Sequence, residues 1–251
     1  MVMLEPTSSV DSLLLRTRFV RILGSRLISS YETRLPNGDP VFVYSRDEDA
    51  EIIMDEIFVQ NIYEQYHGIE KGDTVLDVGA NIGCFTIKAC KEVGSAGSVL
   101  SFEPTASNYK LLARNVALNR YNDRCKTFAI AAGATSTIAE IGLYRRGSGE
   151  ASLMNRNESP VRFEEVKIRP LDSITSEIGI SKCDFLKIDV EGFEYEVLKG
   201  ASGLIERFHP FIAMETHSFG PKPEIVAEFL GSLGYSPKIE SHGRTVGMLY
   251  A

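Results

Sequence analysis

The chain has 251 residues, which fits one large domain or a domain with a short extension. Hydrophobic residues make up 43% of it and charged residues 24%, as in ordinary soluble globular proteins. The net charge of −7 argues against a broad nucleic-acid surface, which would need clustered Lys and Arg.

The cysteines and the apolar runs indicate the cellular setting. The four cysteines show no CxxC or CxH spacing, so they resemble buried thiols of a reducing compartment rather than a disulfide framework or a zinc site. No apolar run approaches the roughly 20 residues that span a bilayer. We therefore expect a cytoplasmic protein with no transmembrane segment and no nucleic-acid partner. The oligomeric state cannot be read from the sequence.

The N-terminal stretch is rich in arginine. Residues 12–30 hold several serines, no acid, and the four arginines Arg16, Arg18, Arg21 and Arg26. This composition is typical of a transit peptide or of a helix on a membrane surface. It is also typical of an ordinary helix with an arginine-rich outer face, which we favour because most charge runs are solvated.

Two local signals follow before residue 70. The dipeptide Asn37-Gly38 predicts a hairpin turn ahead of the apolar run 41–44. Apolar residues near helical spacing predict a helix over 48–66. We therefore expect residues 1–70 to form an extension of helix and hairpin, and residues 71–251 to form the main domain.

From residue 73 onward, predicted strands and helices alternate, which implies an α/β fold with a mostly parallel sheet and helices on both faces. The expected strands are 73–78, 97–102, 126–131, 184–188, 211–215, 236–240 and 245–250. The expected helices are 82–92, 106–119, 191–206 and 222–233. The last two strands are too close in the chain for a parallel crossover, so they must be antiparallel. Two further strands, 139–145 and 164–170, interrupt the regular order.

The stretch "DVGANIG" (77–83) lies where the first of these strands passes into a helix. Gly79 permits a sharp turn and the close approach of a ligand, and Gly83 lets the helix pack near the strand. A dinucleotide site usually carries G-x-G-x-x-G, whereas here Asn81 replaces the middle glycine. Asp77 would repel a pyrophosphate but attract the ammonium of S-adenosylmethionine. The charge therefore favours S-adenosylmethionine as the cofactor.

The next strand ends in an acid at a matching distance. Glu103 follows Gly83 by 20 residues, within "SVLSFEP" (98–104). An acid at this place accepts hydrogen bonds from ribose hydroxyls. The turn and the acid are each common, but on consecutive strands at this spacing they predict a nucleoside-cofactor site.

Five stretches of the chain match the motifs of one protein family. They are "MDEIFVQNIYE" (54–64), "LDVGANIGCFT" (76–86), "SFEP" (101–104), "LDSI" (171–174) and "FLKIDVEGFEYEVLKGA" (185–201). Together they resemble FkbM-family S-adenosylmethionine-dependent methyltransferases, and the K-I-D-V-E-G-F-E stretch is the specific part. The resemblance implies a Rossmann-like class I methyltransferase fold, with a seven-stranded sheet and a reversed last strand. It also implies O-methylation of a sugar, a polyketide or a related small molecule.

The resemblance further implies a set of cofactor contacts. The acid, glycines and asparagine of the first turn would line the methionine end, Glu103 would hold the ribose, and two alanines would border the adenine through backbone groups. Many class I enzymes have Asp or Asn where these alanines stand. The residues assigned to the cofactor are Asp77, Gly79, Ala80, Asn81, Gly83, Glu103, Pro104, Ala131 and Ala132.

Acidic residues and a histidine follow the fourth and fifth strands of the predicted sheet. In a parallel sheet the reacting groups lie beyond these carboxyl ends. We predict Asp189 as the main active-site carboxylate, then Glu191, with His217 as a general base near neutral pH. Alternatively, Glu191 caps the next helix and Asp189 binds backbone amides.

The same groups could hold a divalent cation such as Mg²⁺. Asp189 and Glu215, with His217 close by, could bind an ion that lowers the pKa of a substrate hydroxyl. The spacing follows no fixed ligand pattern, so it predicts a metal poorly. Lys187 is expected to pair with a nearby acid rather than to act in catalysis.

Other functions stay open at this point. An NAD-dependent oxidoreductase could use Glu103 for the ribose, although the missing glycine and the reversed strand count against it. A non-catalytic nucleoside-binding protein would keep the same fold. RNA methylation is disfavoured by the acidity and by the lack of an N/D-P-P-Y/F motif. The polar stretch 144–159, with Arg145, Arg146 and Arg156, could be a lid over the pocket of a small-molecule acceptor or an ordinary loop.

Overall fold

A computed structural model describes residues 18–19, 30–44, 50–144, 151–154, 159–242 and 246–251, so the arginine-rich stretch 12–30 lies almost wholly outside the described residues. In chain order the strands are β1 (Arg18–Phe19), β2 (Ser30–Arg34), β3 (Pro40–Tyr44), β4 (Thr74–Val78), β5 (Ser98–Phe102), β6 (Cys125–Phe128), β7 (Ala131–Ala132), β8 (Thr137–Leu143), β9 (Ala151–Ser152), β10 (Arg162–Arg169), β11 (Phe185–Ile188), β12 (Phe211–His217), β13 (Lys238–His242) and β14 (Val246–Tyr250). The α-helices are α1 (Ala50–Phe58), α2 (Cys84–Val93), α3 (Ala106–Leu118), α4 (Leu171–Ile178), α5 (Glu194–Lys199), α6 (Ser202–Phe208) and α7 (Pro223–Ser232).

The main sheet has seven strands in the order β13-β14-β12-β11-β4-β5-β6. The run from β12 to β6 is parallel, and β14 is antiparallel to both of its neighbours. This confirms the predicted sheet with its reversed C-terminal strand. The chain order turns around between β4 and β11, because β5 lies on one side of β4 and β11 on the other. Ligands of open α/β sheets bind at such a switch point, beyond the carboxyl ends of the strands.

Both faces of the main sheet are buried, because successive side chains of a strand point to opposite faces. On β4, Val75 belongs to one hydrophobic core and Leu76 to the other. On β11, Phe185 and Leu186 divide in the same way. The first core is completed by α2 and α3, and the second by α4 to α7.

The N-terminal hairpin packs on the face of the main sheet that carries Val75. It turns at Asn37-Gly38 as predicted, and β2 pairs antiparallel with β3. The side chain of Asn115 in α3 accepts from the Phe42 N–H at 2.7 Å and donates to the carbonyl oxygens of Phe42 and Ile82, at 3.1 and 2.7 Å. One buried amide therefore joins the hairpin to α3 and to the turn after β4. The boundary proposed between extension and main domain stays a prediction.

The helix predicted over 48–66 ends early, since α1 stops at Phe58. Asn61 then takes a left-handed φ of 51°. The amine of Lys88 in α2 donates to the side-chain oxygen of Asn61 at 2.8 Å and to the main-chain oxygen of Ile57 at 3.2 Å. These tertiary contacts, which local spacing cannot reveal, hold the chain in an irregular course just beyond α1.

The helix predicted over 191–206 is divided into α5 and α6. The carboxylate of Asp172 accepts from the N–H groups of Gly203 and Leu204, at 3.0 and 2.7 Å. These bonds satisfy amides that a helix start leaves unpaired, so α6 has an N-terminus of its own. At the break, a Cβ on Gly200 would lie 2.1 Å from the carbonyl oxygen of Gly133.

The strand predicted over 126–131 is shared between two sheets. After β6, the chain enters β7, which pairs with β10 in a four-stranded sheet of order β7-β10-β8-β9. The two further strands predicted at 139–145 and 164–170 are β8 and β10 of this sheet. The small sheet therefore lies next to the carboxyl end of β6, on the side of the main sheet where a ligand is expected. Within the described ranges, no helix has the length and the apolar character needed to cross a bilayer.

Candidate active site

The turn after β4 brings the chain against the end of β11. Gly79 has a φ of 78°, and a Cβ there would lie 1.7 Å from the carbonyl oxygen of Asp189. Only glycine permits this approach, which places Asp189 beside the turn. Gly83 permits close packing, as predicted, because a Cβ there would lie 2.8 Å from the Leu112 side chain of α3, and its contact with the cofactor stays a prediction.

Glu103 joins this turn to the turn after β5. Its carboxylate is buried, and it accepts from the Asn81 N–H at 3.0 Å and from the N–H and hydroxyl of Thr105 at 2.9 and 2.6 Å. Burial raises the pKa of Glu103, while its bonds with Thr105 and Asn81 act in the opposite direction. The acid predicted to hold a ribose thus also holds Asn81 in its left-handed conformation, at a φ of 52°.

A first cavity opens beside these two turns. Ile130, Leu153 and Phe193 form part of its apolar lining. Asn81 lines the cavity, and its side-chain oxygen is buried without a hydrogen-bond partner among the described residues. Such an oxygen calls for a donor from a ligand. The predicted cofactor residues that line this cavity are Gly79, Asn81, Glu103, Pro104, Ala131 and Ala132.

Asp77 lies behind the turn and is fully buried. One of its oxygens accepts from the Thr86 hydroxyl at 2.5 Å, and the other lies 3.2 Å from the Lys187 amine. Lys187 also donates to the carbonyl oxygen of Gly79 at 2.7 Å. Burial disfavours the charge on Lys187, but Asp77 and Asp189 outweigh it and raise the pKa of that amine. The predicted pairing of Lys187 with an acid is confirmed, and this pair supports the turn at Gly79 from behind.

A second cavity lies on the other side of the same turn. The side chains of Ile53, Ile57 and Phe85, from α1 and α2, give it an apolar wall, and Ala80 also lines it. Its polar groups come chiefly from the strand ends and from Tyr63. The residues that line both cavities are Gly79, Asn81, Asp189 and Glu191. The two cavities therefore meet at these four residues.

Asp189 lies where the cavities meet. Its Oδ2 accepts from the Tyr63 hydroxyl at 3.0 Å and lies 3.6 Å from the Lys187 amine. Burial disfavours the charge on Asp189, but Lys187 and His217 outweigh it and lower the pKa of this carboxyl. For Glu215, burial and the charge of Asp189 raise the pKa well above its usual range. The two acids thus differ in character, with Asp189 ionised and Glu215 inclined to keep its proton.

His217 lies among acids. Its Nδ1 is 2.8 Å from Glu194, and its Nε2 is 3.5 Å from Glu191 and 3.9 Å from Glu215. Burial disfavours the protonated ring, but the hydrogen bond to Glu194 and the charge of Glu191 raise the pKa of His217 to about 9. The imidazole is therefore protonated at neutral pH. A role as general base would first require loss of that proton.

The group predicted to bind a cation is brought together as well. One side-chain ligand atom from each of Asp189, Glu215 and His217 lies within 4.8 Å of the others. The raised pKa values of Glu215 and His217 mean that a cation would compete with protons at two of the three positions. The magnesium site stays a prediction.

Two residues of the site were not predicted from the sequence. Glu194 is buried, accepts from the Gly192 N–H at 2.8 Å and faces His217. It stands in the quoted stretch "DVEGFE", where a further acid could have been considered. Tyr63 is 126 residues from Asp189 in the chain, and its spacing indicated only a core position in a helix.

The described part of the stretch 144–159 reaches the first cavity. Ala151 and Leu153 line it, and the Ser152 hydroxyl between them donates to the carbonyl oxygen of Glu191 at 2.6 Å. Residues 145–150 and 155–158, with all three of the arginines considered above, lie outside the described residues. The lid therefore stays a hypothesis.

Comparison with known proteins gives matches to methyltransferases. The family model described as "Methyltransferase FkbM domain" matches residues 77–237. The 31-O-demethyl-FK506 methyltransferase FkbM of Streptomyces tacrolimicus is 31% identical over 195 residues, which cover 66% of this chain and 74% of that protein. The AMB antimetabolite synthetase AmbE of Pseudomonas aeruginosa is 30% identical over 205 residues, covering 67% of this chain. The match covers only 10% of that much longer protein.

A solved structure agrees at the level of the fold. The crystal structure of methyltransferase FkbM from Methylobacillus flagellatus KT superposes with a TM-score of 0.53 at 19% sequence identity, over 74% of this chain and 45% of that one. The sheet order, the family match and the Streptomyces relative agree with the resemblance drawn from the sequence motifs. The chain belongs to the FkbM methyltransferase domain family.

Proposed function

We propose that this chain is an S-adenosylmethionine-dependent O-methyltransferase that acts on a hydroxyl group of a small molecule. One observation carries the proposal: two cavities meet at Asp189, on either side of the glycine turn. A transfer between two bound molecules needs sites that approach one point from different directions. Family membership supports methyl as the transferred group. The name of the Streptomyces relative, a 31-O-demethyl-FK506 methyltransferase, supports oxygen as the acceptor atom.

The first cavity suits the cofactor. Glu103 would accept hydrogen bonds from the ribose, and Ala131 and Ala132 would border the adenine beside the apolar side chains of Ile130 and Phe193. The unpaired side-chain oxygen of Asn81 would accept from the ammonium group. S-adenosylmethionine, when bound, supplies an electrophilic methyl group on a positively charged sulfur.

The second cavity would hold the acceptor, with its hydroxyl at Asp189. The ionised Asp189 carboxylate would take the hydroxyl proton as the acceptor oxygen attacks. Lys187 keeps Asp189 ionised, and Glu215 contributes a neutral carboxyl beside it. The protonated His217 would hold the Glu191 carboxylate and the neutral Glu215 carboxyl group in place.

Calorimetry tests the cofactor assignment. We expect S-adenosylmethionine and S-adenosylhomocysteine to bind and NAD not to bind. Binding of NAD alone would overturn the proposal in favour of the oxidoreductase. The same titration with added magnesium tests the predicted cation, because a magnesium-dependent change in affinity would support a site at Asp189 and Glu215.

A single substitution tests the ribose contact. Glu103→Gln should weaken S-adenosylhomocysteine binding by about tenfold or more, because it replaces a charged acceptor by a neutral one. Glu164→Gln is the matched control: its carboxylate also accepts a backbone N–H, from Ala106 at 2.7 Å, but it lies on the small sheet. Equal affinities in both variants would contradict the assignment.

Methyl transfer is then measured with tritium-labelled S-adenosylmethionine. The acceptors are methyl glucoside, methyl rhamnoside, methyl glucuronide and a macrolide with free secondary hydroxyls. Asp189→Ala should keep S-adenosylhomocysteine affinity and lose turnover. Full turnover in this variant would remove Asp189 from the catalytic role.

A further inference from the structure

The segment between α1 and β4 reaches the active site from outside the family match, which begins at residue 77. Ile62 and Tyr63 in this segment are almost fully buried. Lys88 holds the segment through the side chain of Asn61, and the Tyr250 hydroxyl donates to the Ile62 carbonyl oxygen at 2.6 Å. The segment is thus fixed at two adjacent residues, and Tyr63 follows them directly in the chain.

The ring of Tyr63 has a defined place. It packs edge-to-face against Phe85 with ring centroids 5.3 Å apart, and the Lys187 amine lies 5.2 Å from its centroid. The ring lines the second cavity, and its hydroxyl donates to Asp189 Oδ2 at 3.0 Å. Burial, with the negative charge of Asp189, raises the pKa of Tyr63 well above its usual range. The hydroxyl therefore keeps its proton and acts as a donor throughout the neutral range.

The contacts of Asp189 are unevenly placed on its carboxylate. Tyr63 and Lys187 both approach Oδ2, and neither of these two contacts uses Oδ1. The Tyr63 contact is a directed hydrogen bond, whereas Lys187 at 3.6 Å forms an ion pair, so the Tyr63 bond is the one of the two that restricts rotation of the carboxylate about its Cβ–Cγ bond. The Glu215 carboxyl also hydrogen-bonds to Asp189, so Tyr63 and Glu215 together set the direction of this carboxylate.

We propose that Tyr63 is a positioning residue for methyl transfer, in that its hydroxyl orients the Asp189 carboxylate toward the acceptor hydroxyl. This rests on the function proposed above. In the reaction the acceptor O–H bond breaks as the oxygen forms its bond to the methyl carbon, the proton passes to Asp189, and the methyl–sulfur electron pair stays on sulfur. Tyr63 keeps its own proton throughout.

A purely structural role is the competing explanation, and the chain offers a matched control for it. Tyr250 also donates its hydroxyl to the same segment, to the Ile62 carbonyl oxygen and, at 3.0 Å, to Gln65 Oε1. Tyr250→Phe therefore removes an anchor of the segment without touching Asp189. Tyr63→Phe removes one hydroxyl of equal size and keeps the ring contacts with Phe85 and Lys187.

The first measurement needs no acceptor. Carbon-13 NMR of aspartate-labelled protein, with the signal assigned by Asp189→Asn, follows the ionisation of Asp189. We expect Tyr63→Phe to raise the pKa of Asp189 by about one pH unit, the equivalent of one hydrogen bond, and Tyr250→Phe to leave it unchanged. An unchanged pKa of Asp189 in Tyr63→Phe would overturn the proposal.

The second measurement compares turnover with binding. With the acceptor that the wild type methylates fastest in the panel above, Tyr63→Phe should lower kcat about tenfold and move the acid limb of its pH profile upward by about one unit. The calorimetric affinity for S-adenosylhomocysteine should stay within about twofold in both variants. If Tyr63→Phe and Tyr250→Phe lose kcat equally and the pH profile does not shift, Tyr63 has only a structural role in holding the segment. A wild type that binds neither S-adenosylmethionine nor S-adenosylhomocysteine would instead remove the proposed function itself.

Discussion

Asp77 and Lys187 form a buried ion pair directly behind the turn that contains Gly79. Asp77→Ala leaves the buried ammonium without its nearest carboxylate, and we expect a loss of about 3–5 kcal/mol in the free energy of unfolding. Urea denaturation measures it. Adding Lys187→Met should recover part of the loss, because it removes the uncompensated charge. A double variant that is less stable than Asp77→Ala would contradict this.

Asp77 was also predicted to attract the ammonium group of the cofactor. The sequence indicated that Asp77 would face the cofactor ammonium, whereas in the structure it contacts Thr86 and Lys187. Its direct contact with the cofactor stays a prediction. Calorimetry of folded Asp77→Asn with S-adenosylhomocysteine addresses it, because the amide oxygen can keep the Thr86 bond.

At the scale of elements, the passage from β4 into α2 decides the geometry of the site. Gly79→Ala would place a Cβ 1.7 Å from the Asp189 carbonyl oxygen, in addition to the strain of a positive φ. We expect β4 and β11 to separate locally, with loss of S-adenosylhomocysteine binding measured by calorimetry and a lower midpoint of urea unfolding.

Gly72 is the matched control for this substitution. It has a φ of 92°, close to that of Gly79, but a Cβ there would meet nothing within 4 Å. Gly72→Ala should therefore lose only the roughly 1–2 kcal/mol of left-handed strain and keep its affinity for S-adenosylhomocysteine. If Gly79→Ala and Gly72→Ala bind S-adenosylhomocysteine equally well, the close approach at Gly79 is not needed for binding.

At the scale of the whole molecule, His217 links stability to pH. Its pKa is about 9 in the folded chain and about 6.5 when unfolded, so the folded state binds the proton more tightly. The stabilisation of the folded state by the protonated His217 is complete below pH 6.5 and is lost as the pH rises through 9. His217→Gln should therefore lower the free energy of unfolding more at pH 6 than at pH 9, by on the order of 3 kcal/mol.

Urea unfolding of both proteins in the two buffers measures this difference. His67→Gln is a control for the loss of an imidazole, since His67 packs against the ring of Phe211. If His217→Gln lowers the free energy of unfolding by the same amount at pH 6 and at pH 9, the ring is not held in its charged form.

The charge around the second cavity bears on the choice of acceptor. Among the described residues that line it, the acids are Glu56, Asp189, Glu191 and Glu215, and the one base is Lys187. We expect methyl glucoside to be methylated at least about tenfold more efficiently than methyl glucuronide in kcat/KM, because a carboxylate on the acceptor would meet like charge. Added salt should reduce this difference in kcat/KM, because it screens the repulsion between the carboxylates. Preference for the glucuronide would favour the arginines of 144–159 as an anion-binding lid.

The sequence by itself determined the main sheet, the hairpin and the turn at Gly79, because each depends on local order. Strand and helix periodicity predicted the elements of the main sheet, and the short link before β14 required the reversed strand. The turns at Asn37-Gly38 and Gly79 were predicted from local sequence, and the contact of Glu103 with a ribose stays a prediction. Such signals survive folding because they reflect backbone geometry within one or two elements.

The tertiary structure decided where elements end and which state each charge adopts. Lys88 and Asp172 shape helix ends from distant parts of the chain. Tyr63 reaches Asp189 across 126 residues, and burial among acids makes His217 a cation. Long-range contacts and desolvation set these properties, and neither can be read from the spacing of residues along the chain.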